Sequence, residues 1–492
     1  MSEKGKVINV KRKYRKNLWI ILSNMTLLAV VLALFVVDFI RGHLSIPLLA
    51  VLIFAFIGCI YHIFRIYYLF LYKEPTTLYS NANYILKQAE KLAGVKRLNL
   101  YAGLFINIAD FRYINQRYGL DKAKSIITLC IQDFDSYTKL HNGYASILGG
   151  DNFFVLIKKD KLNDFLDHLK KVYVPIEVDG SVSNIHVKFR CGINQIQDNE
   201  NLSTVIFFAS IAMDLAKSSF QDAVYFENAM LENFMKIKKL IADSKQGLRN
   251  HEFFPMYQPK VDAQQNMLCG CEALVRWKHN DILVQPGDFI PALEKSGRIV
   301  DVDYHVFELV CNDITNWIKA GIEPVRVSVN FSKLHLKTPD FLERILEIKK
   351  RYNVDGKYLE IEFTESAGVT DFDVVKEFTN EIKKEGISIS IDDFGTGYSS
   401  LSMLQLLNAD VVKMDKSFLD NSFHAGNEQF IVDLINIIKH QNEKVLFEGV
   451  ETQEQLDFLR QSGCDIIQGY FFDKPLARTE FEERLRNKYY KI

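Results

Sequence analysis

The sequence predicts an α/β chain: an N-terminal two-helix transmembrane hairpin, then an α+β domain, then a C-terminal (βα)8 TIM-like barrel. Three observations carry this prediction. Two long apolar runs stand near the N-terminus, and strand-like and helix-like patterns alternate from Leu98 onward. Eight strand-like runs then lie between Glu252 and Phe472, most of them separated by helical stretches. At 492 residues the chain is too long for one ordinary domain. The predicted parts are a basic cytoplasmic N-terminus (1–17), two transmembrane helices (18–72), a linker helix (73–97), the α+β domain (98–228), a second linker helix (229–247) and the barrel (248–488).

The N-terminal part rests on length and charge. Leu18–Ile40 is an apolar run of 23 residues with one acid, Asp38, near its end, and a second run covers Leu44–Phe64. Each is long enough to cross a hydrocarbon core of ~30 Å at ~1.5 Å per residue. Lys4, Lys6, Lys11, Arg12, Lys13, Arg15 and Lys16 precede the first run, which keeps the N-terminus in the cytoplasm. Two crossings return the remainder to the same side, with the lipid bilayer as partner. Arg41–His43 leaves no room for an external domain. Buried helices of a soluble protein are the plain alternative, and these lengths disfavour it.

Bulk composition excludes several classes. Lys+Arg 60 against Asp+Glu 61 gives a net charge of −1, so there is no case for a nucleic-acid polymer as partner. The seven cysteines are odd in number and scattered, without a CxxC pair or a Cys/His cluster. That argues against a zinc site or a disulfide framework and favours a reducing compartment.

Between Leu98 and Ala216 the pattern reads as strand (LNLYAGLFINI), helix (Arg112–Thr138) and a hairpin (ASILGGDNFFVLI) turning at Gly149-Gly150. A helix over Lys161–Val172, a strand over Ile185–Ile193 and a helix over Leu202–Ala216 follow. This region resembles the GGDEF domain of diguanylate cyclases, with Gly149-Gly150-Asp151-Asn152-Phe153 in the signature position. The resemblance is degenerate. The signature glutamate is Asn152, and the metal-binding aspartate at the end of the first strand is Asn107. Asn115 stands in the guanine-reading position, but its aspartate partner is Lys124. Leu140 and Gly143 replace the inhibitory RxxD pair. Loss of these carboxylates removes anionic ligands for Mg²⁺ on a triphosphate, so no cyclase activity is expected. An inert dimerisation module or GTP binding are the remaining roles for this domain.

The barrel region carries the chemistry. Its eight runs are FFPMYQPKV, CEALVRW, RVSVNFS, YLEIEFTES, ISISIDDF, VVKMD, KVLFEGV and IIQGYFF. Polar groups cluster where these runs end: Asn330, Glu362 and Glu365, Asp392 and Asp393, Lys413, Glu448 and Glu451, Gln468. Catalytic groups of (βα)8 barrels lie at such strand ends. Taken singly, each has a bland reading: Glu272 a paired structural acid, Lys413 a salt-bridge partner, Asn330 turn chemistry, Glu451 a helix cap, and Asp392-Asp393 a loop end.

Together these motifs resemble the EAL domain, the cyclic di-GMP phosphodiesterase family, over roughly Leu248–Leu485. Glu272-Ala273-Leu274 is the naming motif. YQPKVD, PGDFIPALEKSG, EFTES, DDFGTGYSSL, VKMDKSF, EGVET and QGYFFDKP accompany it in the family's order. The resemblance implies two divalent ions, Mg²⁺ or Mn²⁺. Glu272, Asn330, Glu362 and Asp392 would hold one, and Asp392, Asp393 and Glu448 the other, with Asp392 bridging. It also implies Lys413 and Glu448 as catalytic groups, and Gln258, Arg276 and Gln468 as substrate-binding. Glu365 would anchor the loop Phe394–Ser400. The expected protein is a multi-pass protein of the bacterial cytoplasmic membrane, its catalytic domains in the cytoplasm, that hydrolyses cyclic di-GMP to pGpG in signal transduction. GTP at the degenerate domain and a homodimer are further expected partners. The alternative is a catalytically silent cyclic di-GMP receptor that signals through protein partners. Two departures from the family stand out, Asn280 in place of proline and Phe447 before Glu448, where a bulky neighbour threatens to tilt the ligand.

Overall fold

The structure, a computed structural model, describes residues 30, 33–42, 46–72, 80–178, 181–364, 372–395, 404, 408–419 and 428–491. It divides into two compact units, Met1–Phe234 and Met235–Ile492.

In the first unit, the second apolar run forms the helix Ile46–Tyr72 of 27 residues. Val51, Ile53, Phe54, Ile57 and Phe64 on it are exposed, and Phe56, Ile60 and Ile63 are half-buried. Most of Leu18–Ile40 lies outside the described residues. Among the described residues no helix is long and apolar enough to cross a membrane, so the structure does not support the expected transmembrane hairpin.

Five strands follow in the order β2-β3-β1-β6-β7. They are β1 (Tyr101–Ile108), β2 (Tyr144–Gly149), β3 (Asn152–Lys158), β6 (Phe189–Gln195) and β7 (Ala223–Tyr225). β1 is central, antiparallel to both β3 and β6, and buried almost throughout, as a strand covered on both faces must be. Gly149 (φ +133°) and Gly150 (φ +56°) make the β2–β3 turn in a conformation that needs glycine. The strand expected over Ile185–Ile193 is instead two. A separate hairpin of β4 (Tyr173–Val178) and β5 (Ser181–His186) ends where Val187 N–H donates to Val172, and Lys188 then turns to the main sheet by accepting from Ala109. The alternating pattern is continuous, but its hydrogen bonds change partners midway.

The second unit is an eight-stranded closed barrel. Its strands are β8 (Phe253–Asp262), β9 (Leu268–His279), β11 (Arg326–Asn330), β12 (Leu359–Thr364), β13 (Ser388–Phe394), β14 (Val411–Met414), β15 (Lys444–Phe447) and β16 (Ile466–Ile467). Neighbours pair in that order, and β8 closes the ring against β9 and β16. The short β10 (Ile282–Val284) hangs on the outside of β9. All eight predicted runs become barrel strands. One feature of a regular (βα)8 barrel fails: β8 runs antiparallel to both neighbours. Only residues 263–267 join β8 to β9, too few for the crossover a parallel pair needs. Asp262 Oδ1 instead accepts from the Gln264 and Gln265 amides and closes a tight turn.

Asn280 also has its explanation here. It and Asp281 have φ of +50° and +63° in the turn from β9 to β10. Proline, fixed near −65°, is excluded from that turn.

Candidate active site

The barrel strands alternate inward and outward side chains, which sets the site. Gln258 and Glu272 face each other in register across β8 and β9, and Asn330 faces Glu362 across β11 and β12. β13 is the exception that brings two neighbours together. Its register against β14 shifts between Ile391 and Phe394, and Asp393 sits at φ +54°. A bulge of this kind breaks the alternation, so both aspartates reach the mouth. Asp393 N–H donates to Asp392 Oδ1 at 3.0 Å, which fixes the bend.

Two acid groupings result. Glu272, Glu362 and Asp392 have oxygens within 4.8 Å of one another, as do Asp392, Asp393 and Glu448. Asp392 belongs to both. Asn330 joins the first by donating from Nδ2 to Glu272 Oε1 at 2.6 Å. At the centre lies the fully buried Lys413. Its ammonium is 2.7 Å from Glu362, 2.8 Å from Glu448, 2.9 Å from Asp392 and 3.2 Å from Glu272. Gln468 Nε2 donates to Glu272 Oε2 at 2.7 Å and to Gln258 Oε1 at 3.3 Å.

Electrostatics report a shortage of positive charge. Burial, then the Glu362 carboxylate, raises the pKa of Glu272. Burial raises Asp392 and Asp393 as well, and pushes Glu448 up to about 8. Burial also opposes the charge on Glu362, but Lys260 and Lys413 outweigh it and hold that carboxyl well below its usual range. Lys413 is raised far above its ordinary value: burial opposes its charge, but Asp392, Glu272 and Glu362 overcome that. Several carboxylates, an amide and no sulfur or imidazole form a hard-oxygen donor set, which fits divalent Mg²⁺ or Mn²⁺.

Gln258, Glu272, Asp392, Glu448 and Gln468 line a cavity of about 370 Å³, together with Lys416, Glu451 and Tyr470. Arg276, half-buried, lines a neighbouring cavity of about 210 Å³ with Asn330 and Ser332, across Leu274 from the first. Burial lowers its pKa from the ordinary arginine value. Phe447 does not crowd Glu448 from this side; it is fully buried in an apolar cluster with Met414 and Ile467. Glu451 is not the helix cap. Thr452 caps Gln453–Gln461, while Glu451 accepts from Lys416 at 2.7 Å on the cavity wall. Glu365 and residues 396–400 of its expected loop lie outside the described residues.

Sequence reasoning missed Lys260 and Glu360. Lys260 Nζ donates to Glu362 Oε1 at 2.8 Å, Glu360 Oε1 at 2.9 Å and Ser328 Oγ at 2.8 Å. The signal was the period of two: Gln258 and Lys260, Ser328 and Asn330, Glu360 and Glu362 each share one face of a strand.

The first unit shows the opposite arrangement at the matching turn. Asn107 is 5% exposed, and its Nδ2 donates to Asp151 Oδ2 at 2.8 Å and to Asn152 Oδ1 at 2.9 Å. Among the described residues, both acid groupings of metal-binding geometry lie in the barrel.

Residues 241–475 match the EAL domain family, and residues 74–222 match the family described as diguanylate cyclase, GGDEF domain. Among curated proteins, the bifunctional diguanylate cyclase/cyclic di-GMP phosphodiesterase MucR of Pseudomonas aeruginosa is 30% identical over 77% of this chain and 56% of its own length. The cyclic di-GMP phosphodiesterase NbdA of the same organism is 29% identical over 78% of this chain and 50% of its own. The chain thus spans about half the length of these relatives. Of solved structures, Vibrio cholerae LapD (S helix, GGDEF and EAL, bound to c-di-GMP) aligns with a TM-score of 0.53 at 15% identity, covering 82% of this chain and 96% of that one. At that identity the likeness concerns the fold alone.

Proposed function

We propose, for a chain whose residues 241–475 match the EAL domain family and whose residues 74–222 match the GGDEF domain family, a phosphodiesterase that hydrolyses cyclic di-GMP to pGpG with two divalent ions. The observation that carries this reading is the pair of acid groupings that share Asp392. The activities in the names of MucR and NbdA support the same substrate. Glu272, Asn330, Glu362 and Asp392 would hold one ion, and Asp392, Asp393 and Glu448 the other. Bound there, the ions would activate water and offset charge on the phosphate.

The chain's own residues do the rest. Arg276 presents a guanidinium to a phosphate oxygen, a geometry it matches as a fork. Gln258 and Gln468, hydrogen-bonded to each other, hold the substrate's polar edge above Glu272. Lys413, already placed among four carboxylates, orients the attacking water and steadies negative charge. Glu448, which would also hold an ion, is the acceptor for the water's proton. Purified protein should release pGpG from cyclic di-GMP with Mg²⁺ or Mn²⁺ and stop when EDTA is added. Folded protein that binds cyclic di-GMP without cleaving it would replace this reading with that of a receptor.

We also propose that the apolar runs Leu18–Ile40 and Leu44–Phe64 anchor the chain in the bacterial cytoplasmic membrane, with both domains in the cytoplasm. The support is sequence length and the basic residues 4–16. Recovery of the full chain in carbonate-washed membranes tests it, and extraction by carbonate would reject it. GTP regulation through the GGDEF domain and pairing of barrels rest on the family resemblance. A GTP titration of the hydrolysis rate and a sedimentation run test them.

A further inference from the structure

Lys260 sits where the sequence reads an apolar strand, 4% exposed, with all three ammonium donors occupied. A lysine buried at that depth costs several kcal/mol in desolvation unless paired. Its pairing is asymmetric. Glu360 and Ser328 lie one inward-facing layer below the acid groupings, and Glu362 lies within them. Lys260 therefore holds Glu362 by Oε1 from beneath at 2.8 Å, while Lys413 holds Oε2 at 2.7 Å from the mouth. Each oxygen of this one carboxylate is fixed by a different ammonium. Glu360 offsets the charge that Lys260 brings, so the two form a neutral pair beneath the site.

We propose that Lys260 is a positioning residue for the metal ligand Glu362, itself held in place by Glu360 and Ser328; the proposal rests on the phosphodiesterase reading above. A carboxylate free to rotate presents its oxygens to an ion only part of the time. Groups behind a ligand that stop such rotation are worth about 10–100-fold in metal affinity or activity. The bland alternative is a core lysine satisfied by nearby acids, whose loss changes stability and nothing else.

The test is the double substitution Lys260→Met with Glu360→Gln in the full chain, in detergent. It removes one positive and one negative charge together, so the layer beneath the site stays neutral while the hydrogen bond to Glu362 is lost. Met fills the lysine's volume, and a buried ion pair replaced by well-packed neutral groups often leaves stability unchanged. Free Mn²⁺ counted by electron paramagnetic resonance should show affinity weakened about tenfold or more. Turnover of cyclic di-GMP should fall by a similar factor in kcat, with KM within about twofold, because no substrate contact is altered. Parent-like Mn²⁺ affinity and kcat in a variant with a parent-like melting temperature would overturn the proposal.

If the double variant does not fold, Glu360→Gln alone serves. It removes the charged partner that holds Lys260 in place, so the grip of Lys260 on Glu362 loosens and Mn²⁺ affinity should drop several-fold. An unchanged affinity there would also overturn the proposal. A parent protein that neither binds Mn²⁺ nor cleaves cyclic di-GMP would instead remove the phosphodiesterase reading, and this inference with it.

Discussion

The turn between β2 and β3 and the mouth of the barrel pose the same problem and solve it differently. Each gathers polar side chains at strand ends beside a glycine-containing turn. At the first, Asn107 supplies two N–H donors to Asp151 and Asn152, so the local hydrogen bonds close on themselves. At the second, carboxylates outnumber the buried ammonium groups, and burial raises the pKa of Glu272, Asp392, Asp393 and Glu448. A self-satisfied cluster needs no ligand, whereas an unbalanced one is stable as charged groups only with added cations. Amides at Asn107 and Asn152, where carboxylates would leave the charge unbalanced, set the first apart from the second.

That contrast can be broken first at the barrel. Asp392→Ala removes the acid common to both groupings, and turnover should fall at least about 100-fold in kcat, the equivalent of a few kcal/mol of lost charge stabilisation. Activity within tenfold of the parent would mean that the shared position is not used. A smaller effect is expected on the other side of the comparison. Asn107→Asp deletes both donors and sets a carboxylate against Asp151, which should cost about 1–3 kcal/mol. In urea titrations with EDTA the first unit should therefore unfold at lower denaturant, with part of the loss recovered by Mn²⁺. An unchanged midpoint would show that the amide bonds carry little.

The smallest effect concerns a buried acid outside both sites. Glu443 accepts from the Ala409 amide through Oε1, and its Oε2 has no hydrogen-bond partner among the described residues. Burial pushes its pKa up to about 7. A raised carboxyl pKa means that the folded chain binds the proton more tightly than the unfolded one, whose pKa is about 4.3. Stability from this group is thus full at acid pH and declines as pH rises from that value through about 7. Glu443→Gln should melt like the parent at acid pH and roughly 2–4 °C higher at pH 8. EDTA should make no difference here, unlike at the barrel mouth. A gain that appeared at low pH instead would reverse the assignment.

Much of this was legible in the sequence because apolar runs and strand ends are local signals. The eight barrel strands fall where their runs predict, and the residues at their ends converge. What was not legible depends on pairing between distant segments. The reversed β8 follows from a connection too short for a helix, which the runs alone do not weigh. The bulge that turns Asp393 toward Asp392 exists only in register with β14. Likewise Ile185–Ile193 is one alternating stretch whose two halves join different sheets. Lys260 lay within reach, since it shares the inward face of β8 with Gln258, but a lysine in an apolar strand reads as an interruption until Glu360 and Glu362 stand beside it.

In the proposed two-ion site Asp392 would serve both ions and Asp393 only one. Counting Mn²⁺ bound per chain by electron paramagnetic resonance tests it most directly, in the parent, Asp393→Asn and Asp392→Asn proteins. The Asp393 change should lose one of the two barrel ions, and the Asp392 change should weaken both. An Asp392 variant that kept either ion at parental affinity would contradict it.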